Sequence, residues 1–166
     1  MADRFLHCVW CDDIRQEIGN KPSLMGVYSG NIIVPRLPFT LQKLGLFTWL
    51  MTPIENPFTT PFALIVRRDD KTELLSLVID PPKEPPPKEE GSTRHQVGMA
   101  FGIGPIELPE GCKYLAVEAI VDGEVIIGPK LRVKVDKMII DQMMPDSMKA
   151  VMERIERVDS SGEESA

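Results

Sequence analysis

The pair Asp122-Gly123, set between the runs Tyr114 to Val121 and Val125 to Val135, constrains this chain more than any other feature. A two-residue Asp-Gly loop favours a type I′ turn, whose twist matches that of two antiparallel strands, so it sets a hairpin and its register together. Val121 then faces Glu124, Ile120 faces Val125, Glu118 faces Ile127 and Ala116 faces Pro129. Because side chains alternate along a strand, Tyr114, Ala116, Glu118, Ile120, Val125 and Ile127 share one side. Leu131, Val133 and Val135 continue that side if no bulge intervenes, with Arg132 and Lys134 outside it, so it is expected to face the core. Glu118 is the discordant member, since a buried carboxylate without a partner is costly, and either a bulge or a cation must resolve it. The opposite side, with Leu115, Val117, Ala119, Val121 and Ile126, is too apolar for water and is expected to be covered.

Proline punctuates the rest of the chain at Pro35 and Pro38, at Pro53, Pro57 and Pro61, and from Pro81 to Pro87, each group closing one apolar run and opening another. This predicts strands over Phe5 to Cys11, Leu24 to Val34, Phe39 to Met51, Phe62 to Arg68, Glu73 to Asp80, Gln96 to Glu107, Lys113 to Val121 and Val125 to Val135. The segment 81–93 has only proline rings as apolar anchors and reads as an extended, mobile loop inside the domain. After residue 137 the period changes. Met144, Met148, Val151, Met152, Ile155 and Val158 recur at helical spacing after Pro145, which predicts an amphipathic helical extension over 138–158, followed by an acidic, disordered tail at 159–166. The 166 residues, 43% of them apolar, are therefore read as one β-domain over 1–137 with that extension.

Charge and composition bound the function. A net charge of −6 argues against a nucleic-acid partner, which needs clustered Lys and Arg, and Arg67-Arg68 is followed by Asp69-Asp70 as turn chemistry. No apolar run is long enough to span a membrane, and the opening Met-Ala-Asp-Arg does not resemble a signal peptide, so a cytoplasmic protein without a membrane partner is expected. Three cysteines, an odd number, argue against a disulfide scaffold.

Three segments invite a chemical reading. Cys8-Val9-Trp10-Cys11 has the spacing of a metal or thiol-exchange pair, but residues three apart on a strand point to opposite faces, and Cys112, His7 and His95 offer no second ligand spacing. The plainer reading is small buried apolar side chains. Asp12-Asp13 could serve acid-base chemistry or a hard cation, yet neighbours on a strand diverge, and a solvated strand end is the plainer reading. Phe101-Gly102-Ile103-Gly104-Pro105 lacks the third glycine and the helix of a phosphate loop and reads as a bulged strand.

Cys11-Asp12-Asp13-Ile14-Arg15-Gln16-Glu17, Ser23-Leu24-Met25-Gly26-Val27-Tyr28 and Pro38-Phe39-Thr40-Leu41-Gln42-Lys43-Leu44 together resemble the opening of a small uncharacterised bacterial protein family, through to about Val135. That resemblance implies a cytoplasmic stand-alone domain and carries over no catalytic residue. Separately, Leu108 and Gly111, six and three residues before Tyr114, have the spacing of a tyrosine corner. The stretch resembles fibronectin type III and immunoglobulin-like domains, which implies an antiparallel sandwich of seven or eight strands that binds other proteins, with Trp49 as the core tryptophan.

The resulting expectation is an all-β, immunoglobulin-like sandwich with a short C-terminal helix, acting as a protein-interaction or assembly module without cofactor, metal or catalytic residues. Self-association or a protein partner is expected at Leu64 and Val66 on an edge strand, or at Leu115, Val117 and Val121 with Met148 and Met152 of the helix. An enzyme working at the Cys8/Cys11/Asp12/Asp13 end, or a structural protein of a phage-like particle, are the alternatives.

Overall fold

The computed structural model describes residues 4–19, 21–81, 83 and 91–136. Within them every regular element is a strand: β1 (Phe5–Cys11), β2 (Asp13–Glu17), β3 (Lys21–Met25), β4 (Asn31–Val34), β5 (Phe39–Leu41), β6 (Leu44–Pro53), β7 (Phe62–Arg68), β8 (Glu73–Ile79), β9 (Arg94–Ile103), β10 (Ile106–Leu108), β11 (Tyr114–Val121), β12 (Glu124–Ile127) and β13 (Leu131–Val135). One sheet has the order β1-β6-β9 and a larger one the order β4-β13-β11-β7-β8, with β12 also on β11. Two short pairs, β2-β3 and β5-β10, accompany them. The described ladders are antiparallel except for β4 with β13, which run parallel.

Several long predicted strands divide, for local reasons. The run Leu24 to Val34 breaks at Gly26 and Gly30, which hold φ at 64° and 84°, a region that glycine enters without steric cost. The runs Phe39 to Met51 and Gln96 to Glu107 break at the same level. A Cβ on Gly104 would lie 3.1 Å from Lys43 Cα and closer still to the Gln42 carbonyl, so only glycine lets these two backbones approach. Both strands bend there, and the β6-β9 ladder resumes as β5-β10.

The hairpin forms in the expected register, from Val121 beside Glu124 to Glu118 beside Ile127. Asp122 and Gly123 both have positive φ, at 51° and 81°, as a type I′ turn requires. Arg4, 2% exposed at its side chain, ties this turn down, its Nη2 donating to Asp122 Oδ2 at 2.7 Å while its Nε donates to Thr52 Oγ1 at 3.3 Å.

The expected assignment of faces is reversed. Leu115, Val117, Ala119, Val121 and Ile126 are buried in the core, whereas Val125 and Ile127 are exposed. The cause is the interruption at residues 128–130 between β12 and β13. Ile126 sits beside Ala119 and Leu131 beside Leu115, so an even-numbered residue before the break and an odd-numbered one after it point the same way. Leu131, Val133 and Val135 therefore continue the opposite side from the one expected. Glu118 lies on the outer face, where Arg67 Nη2 meets its Oε2 at 3.1 Å.

What covers Leu115 and its neighbours is the smaller sheet. Leu6 and Trp10 of β1, Leu44, Leu46 and Leu50 of β6 and Ile103 of β9 join Phe62, Leu64, Val66, Leu115, Val117, Ile126 and Leu131 in one apolar cluster. Each such buried side chain contributes roughly 1.5–3 kcal/mol. Trp10, not Trp49, is the core tryptophan, and its Nε1 donates to the Pro129 carbonyl at 3.4 Å. Tyr114 does not build a tyrosine corner. Its ring lies on the outer face, 4.0 Å beneath the Lys130 ammonium, and among the described residues its hydroxyl makes no hydrogen bond. Backbone bonds from Val133 to Lys113 and from Asp69 to Tyr114, at 2.8 and 3.2 Å, hold the crossover instead. The helix expected over 138–158, the tail at 159–166 and most of the loop 81–93 lie outside the described residues.

Candidate functional site

The two cysteines of β1 diverge. Cys8 faces inward beside Thr48, its Sγ 3.5 Å from the Pro129 carbonyl, whereas Cys11 faces the other side, where a Cβ on Gly45 would meet its sulfur at 2.7 Å. Burial pushes the Cys8 thiol up to about 12 and, with help from Asp69, the Cys112 thiol up to about 11. Cys11 is raised by burial and then by the carboxylates of Asp12 and Asp13. A thiol held protonated is a poor nucleophile and a poor metal ligand. Among the described residues no group of three or more His, Cys, Asp or Glu could hold a metal ion.

The carboxylates at this end have structural partners. Asp12 accepts a hydrogen bond from the Tyr28 hydroxyl and fills the space beside Gly26. Burial, followed by this carboxylate, raises the Tyr28 phenol above its ordinary value. Asp13 accepts from Lys43 and, at 3.3 Å, from Arg15 Nε, and these bonds hold its carboxyl below the usual range. Together they pin the β2-β3 hairpin, which lies against β6 and β9.

The residues expected at a partner surface are elsewhere. Leu64, Val66, Leu115, Val117 and Val121 are all core, at most 1% exposed, and β7, which carries the first two, runs between β11 and β8 and is no edge. Met148 and Met152 lie outside the described residues.

The surface that remains open is the outer face of β1-β6-β9 at its β9 border. Trp49 sits beside Gly98 and the buried Phe47 beside Ala100, while Gly45, beside Gly102, has its outer side filled by Cys11 and Ile14. The Phe47 and Trp49 rings meet edge-to-face at 4.4 Å and 63°, and a Cβ on Gly98 would lie 3.7 to 3.9 Å from both. Three successive outward positions of β9 are thus exposed and carry no more than a methyl group, next to an aromatic pair. Phe5, 40% exposed, extends this face on β1, with the Arg94 guanidinium 4.6 Å from its ring centre. Among the described residues nothing pairs with the other side of β9, a ten-residue strand with no proline and no charge after Arg94. Natural edges are normally blunted by those very devices. The alternation Gly98-Met99-Ala100-Phe101-Gly102-Ile103, small outward and large inward, is the sequence signal of this border.

Two other borders differ from it. Pro129, between β12 and β13, lies against β1, and the β7-β8 ladder shifts register at Val66/Arg67, a bulge that twists β8.

A family model described as a family of unknown function (DUF6941) matches residues 6–134, well over half the chain, from the second residue of β1 to the fourth of β13. No curated protein matches the chain.

Proposed function

We propose that this chain, which belongs to that family of unknown function, is a non-enzymatic protein-interaction module on an immunoglobulin-like β-sandwich, and that the open edge of β9 takes up an extended segment of its partner. The strand order supports the fold reading. In chain order β1, β6, β7, β8, β9, β11 and β12 with β13 match strands A, B, C, C′, E, F and G, with A, B and E in one sheet and C′, C, F and G in the other. The observation that carries the functional reading is the outer face of β9, the last strand of its sheet among the described residues, where Gly98, Ala100 and Gly102 are exposed beside the Phe47 and Trp49 pair. An added strand gains main-chain hydrogen bonds along the edge, and alternate side chains find room over Gly98, Ala100 and Gly102 beside the Phe47 and Trp49 rings. Such a partner is an extended, apolar or aromatic protein segment.

The test compares Ala100→Glu on β9 with Val78→Glu on the exposed face of β8. Both side chains point to solvent, so both variants should keep the wild-type melting temperature. Tagged full-length chain should recover a defined partner from native extract, which Ala100→Glu loses and Val78→Glu keeps. Partners retained by a folded Ala100→Glu variant would refute the β9 edge, and recovery of no partner would remove the module reading.

A further inference from the structure

We propose that the cleft on the outer face of β7 and β11 binds a carboxylate carried on a compact apolar body. Its volume is about 190 Å³. A water needs only about 10–15 Å³ of such space, so the cleft has room for a group of amino-acid size. The Tyr114 ring and the Ala116 methyl form the floor, and Ile127, 66% exposed, forms a wall. The Tyr114 ring face, the Ala116 methyl and the Ile127 side chain offer apolar contact, and the Tyr114 hydroxyl is the one polar group among them.

The charges around this floor are unevenly satisfied. Arg68 is engaged with the Asp70 carboxylate at 3.0 Å, Thr72 Oγ1 at 3.0 Å and the Glu107 carbonyl at 2.8 Å, which holds it to the turn. Asp69 accepts the Lys113 amide at 3.2 Å. Lys71 and Lys130 also line the cleft, and among the described residues neither ammonium has a carboxylate within ion-pair distance. Lys71 is presented from a left-handed position, at φ 69°, and Lys130 stands over the Tyr114 ring. Arg67 makes a single-pronged contact with Glu118 and keeps a buried Nε without an acceptor. A buried unsatisfied donor is uncommon and calls for an acceptor.

Two spare ammoniums and an under-used guanidinium beside a small apolar floor suit one monoanionic carboxylate. A phosphate dianion fits less well, because Asp69 and Glu118 line the same cleft and would repel its second charge. The carboxylate could come from the end of a peptide or from a free organic acid. Titrations of the full-length, isotopically labelled chain distinguish these sources, with N-acetylleucine standing for the peptide end and 4-methylpentanoate for the free acid. N-acetylleucinamide and inorganic phosphate serve as controls.

Saturable shifts of the Ala116 and Ile127 amide signals are expected with an acid, and the tighter of the two acids names the source. The leucinamide should cause no such shift. Lys71→Gly combined with Lys130→Gln, which suits the backbone at 71 and removes two surface charges, should weaken acid binding by about tenfold. The proposal is overturned if neither acid shifts these signals, if the amide or phosphate binds as well as the acids, or if the folded double variant binds undiminished. Because the cleft lies on the other sheet from β9, such a failure leaves the edge reading to its own test.

Discussion

Gly26→Ala should be among the most damaging single-methyl changes in this protein, and its cost can be divided into two parts. Gly26 holds φ at 64°, where a residue with a Cβ loses about 1–2 kcal/mol. The added methyl would also enter the Asp12 carboxylate, 2.6 Å from its Cγ. Asp12 cannot retreat with its backbone, because its N–H is shared between the Met25 and Gly26 carbonyls at 2.9 and 3.2 Å. The side chain must swing away instead and give up the Tyr28 hydroxyl, a hydrogen bond to a charged group worth about 1.5–3 kcal/mol. The reduced freedom of alanine in the unfolded chain returns about 0.4–1 kcal/mol. The net expectation is a loss of about 2–4 kcal/mol, read from urea midpoints at constant slope. In an Asp12→Ala background only the Cβ of residue 12, 3.0 Å from the added methyl, remains, so Gly26→Ala should then cost about 1 kcal/mol, leaving a coupling of about 1.5–3 kcal/mol in the double-mutant cycle. If Gly26→Ala costs the same in both backgrounds, the Asp12 contact does not explain the glycine.

Two further predictions follow from the faces of β11 and from its turn. Leu115→Ala should cost about 2–5 kcal/mol in denaturant unfolding, whereas Tyr114→Phe should stay within about 0.5 kcal/mol, and the reverse order would restore the face assignment expected from the hairpin alone. The Asp122 carboxyl is held below its ordinary value by Thr60 and then by Arg4, so the native state binds its proton less readily than the unfolded chain. Stability from this group is present above the unfolded-state value near 4 and is lost as pH falls through the depressed native value, so Asp122→Asn should lower stability at neutral pH and flatten the acid limb. An acid limb identical to that of the wild type would show that the Arg4 pair contributes nothing to stability.

The candidate surfaces were only partly legible in the sequence. The alternation along β9 marks a half-covered strand, yet the sequence placed the edge at Phe62 to Arg68. Being an edge is a property of strand order, and strand order is decided by contacts between segments tens of residues apart. The cleft was hidden for a related reason. Arg67 and Arg68 read as one turn, but on a strand they point to opposite sides. Arg68 does serve the turn, whereas Arg67 reaches Glu118 on a strand about fifty residues away in the chain. The outer aromatic pair was likewise displaced, since the immunoglobulin-like resemblance puts Trp49 in the core, whereas the pairing of β1 with β6 sets Trp10 inside and Trp49 on the outer face.

What the sequence determined by itself is what a few adjacent residues can enforce: strands as the regular elements of the described residues, the type I′ turn at Asp122-Gly123, the pairing of Val121 with Glu124, and the divergence of Cys8 and Cys11 on one strand. Membership of an uncharacterised family was legible as well. Only the tertiary structure decided which side of β11 is the inside. A period-two pattern is symmetric between its two faces, so it groups residues without orienting them, and three irregular residues at 128–130 are enough to invert the grouping across the hairpin. The second sheet then covers Leu115 and Val117 and leaves Tyr114 and Ile127 outside, which spares the Glu118 carboxylate burial in the core and sets it beside Arg67 at the outer face.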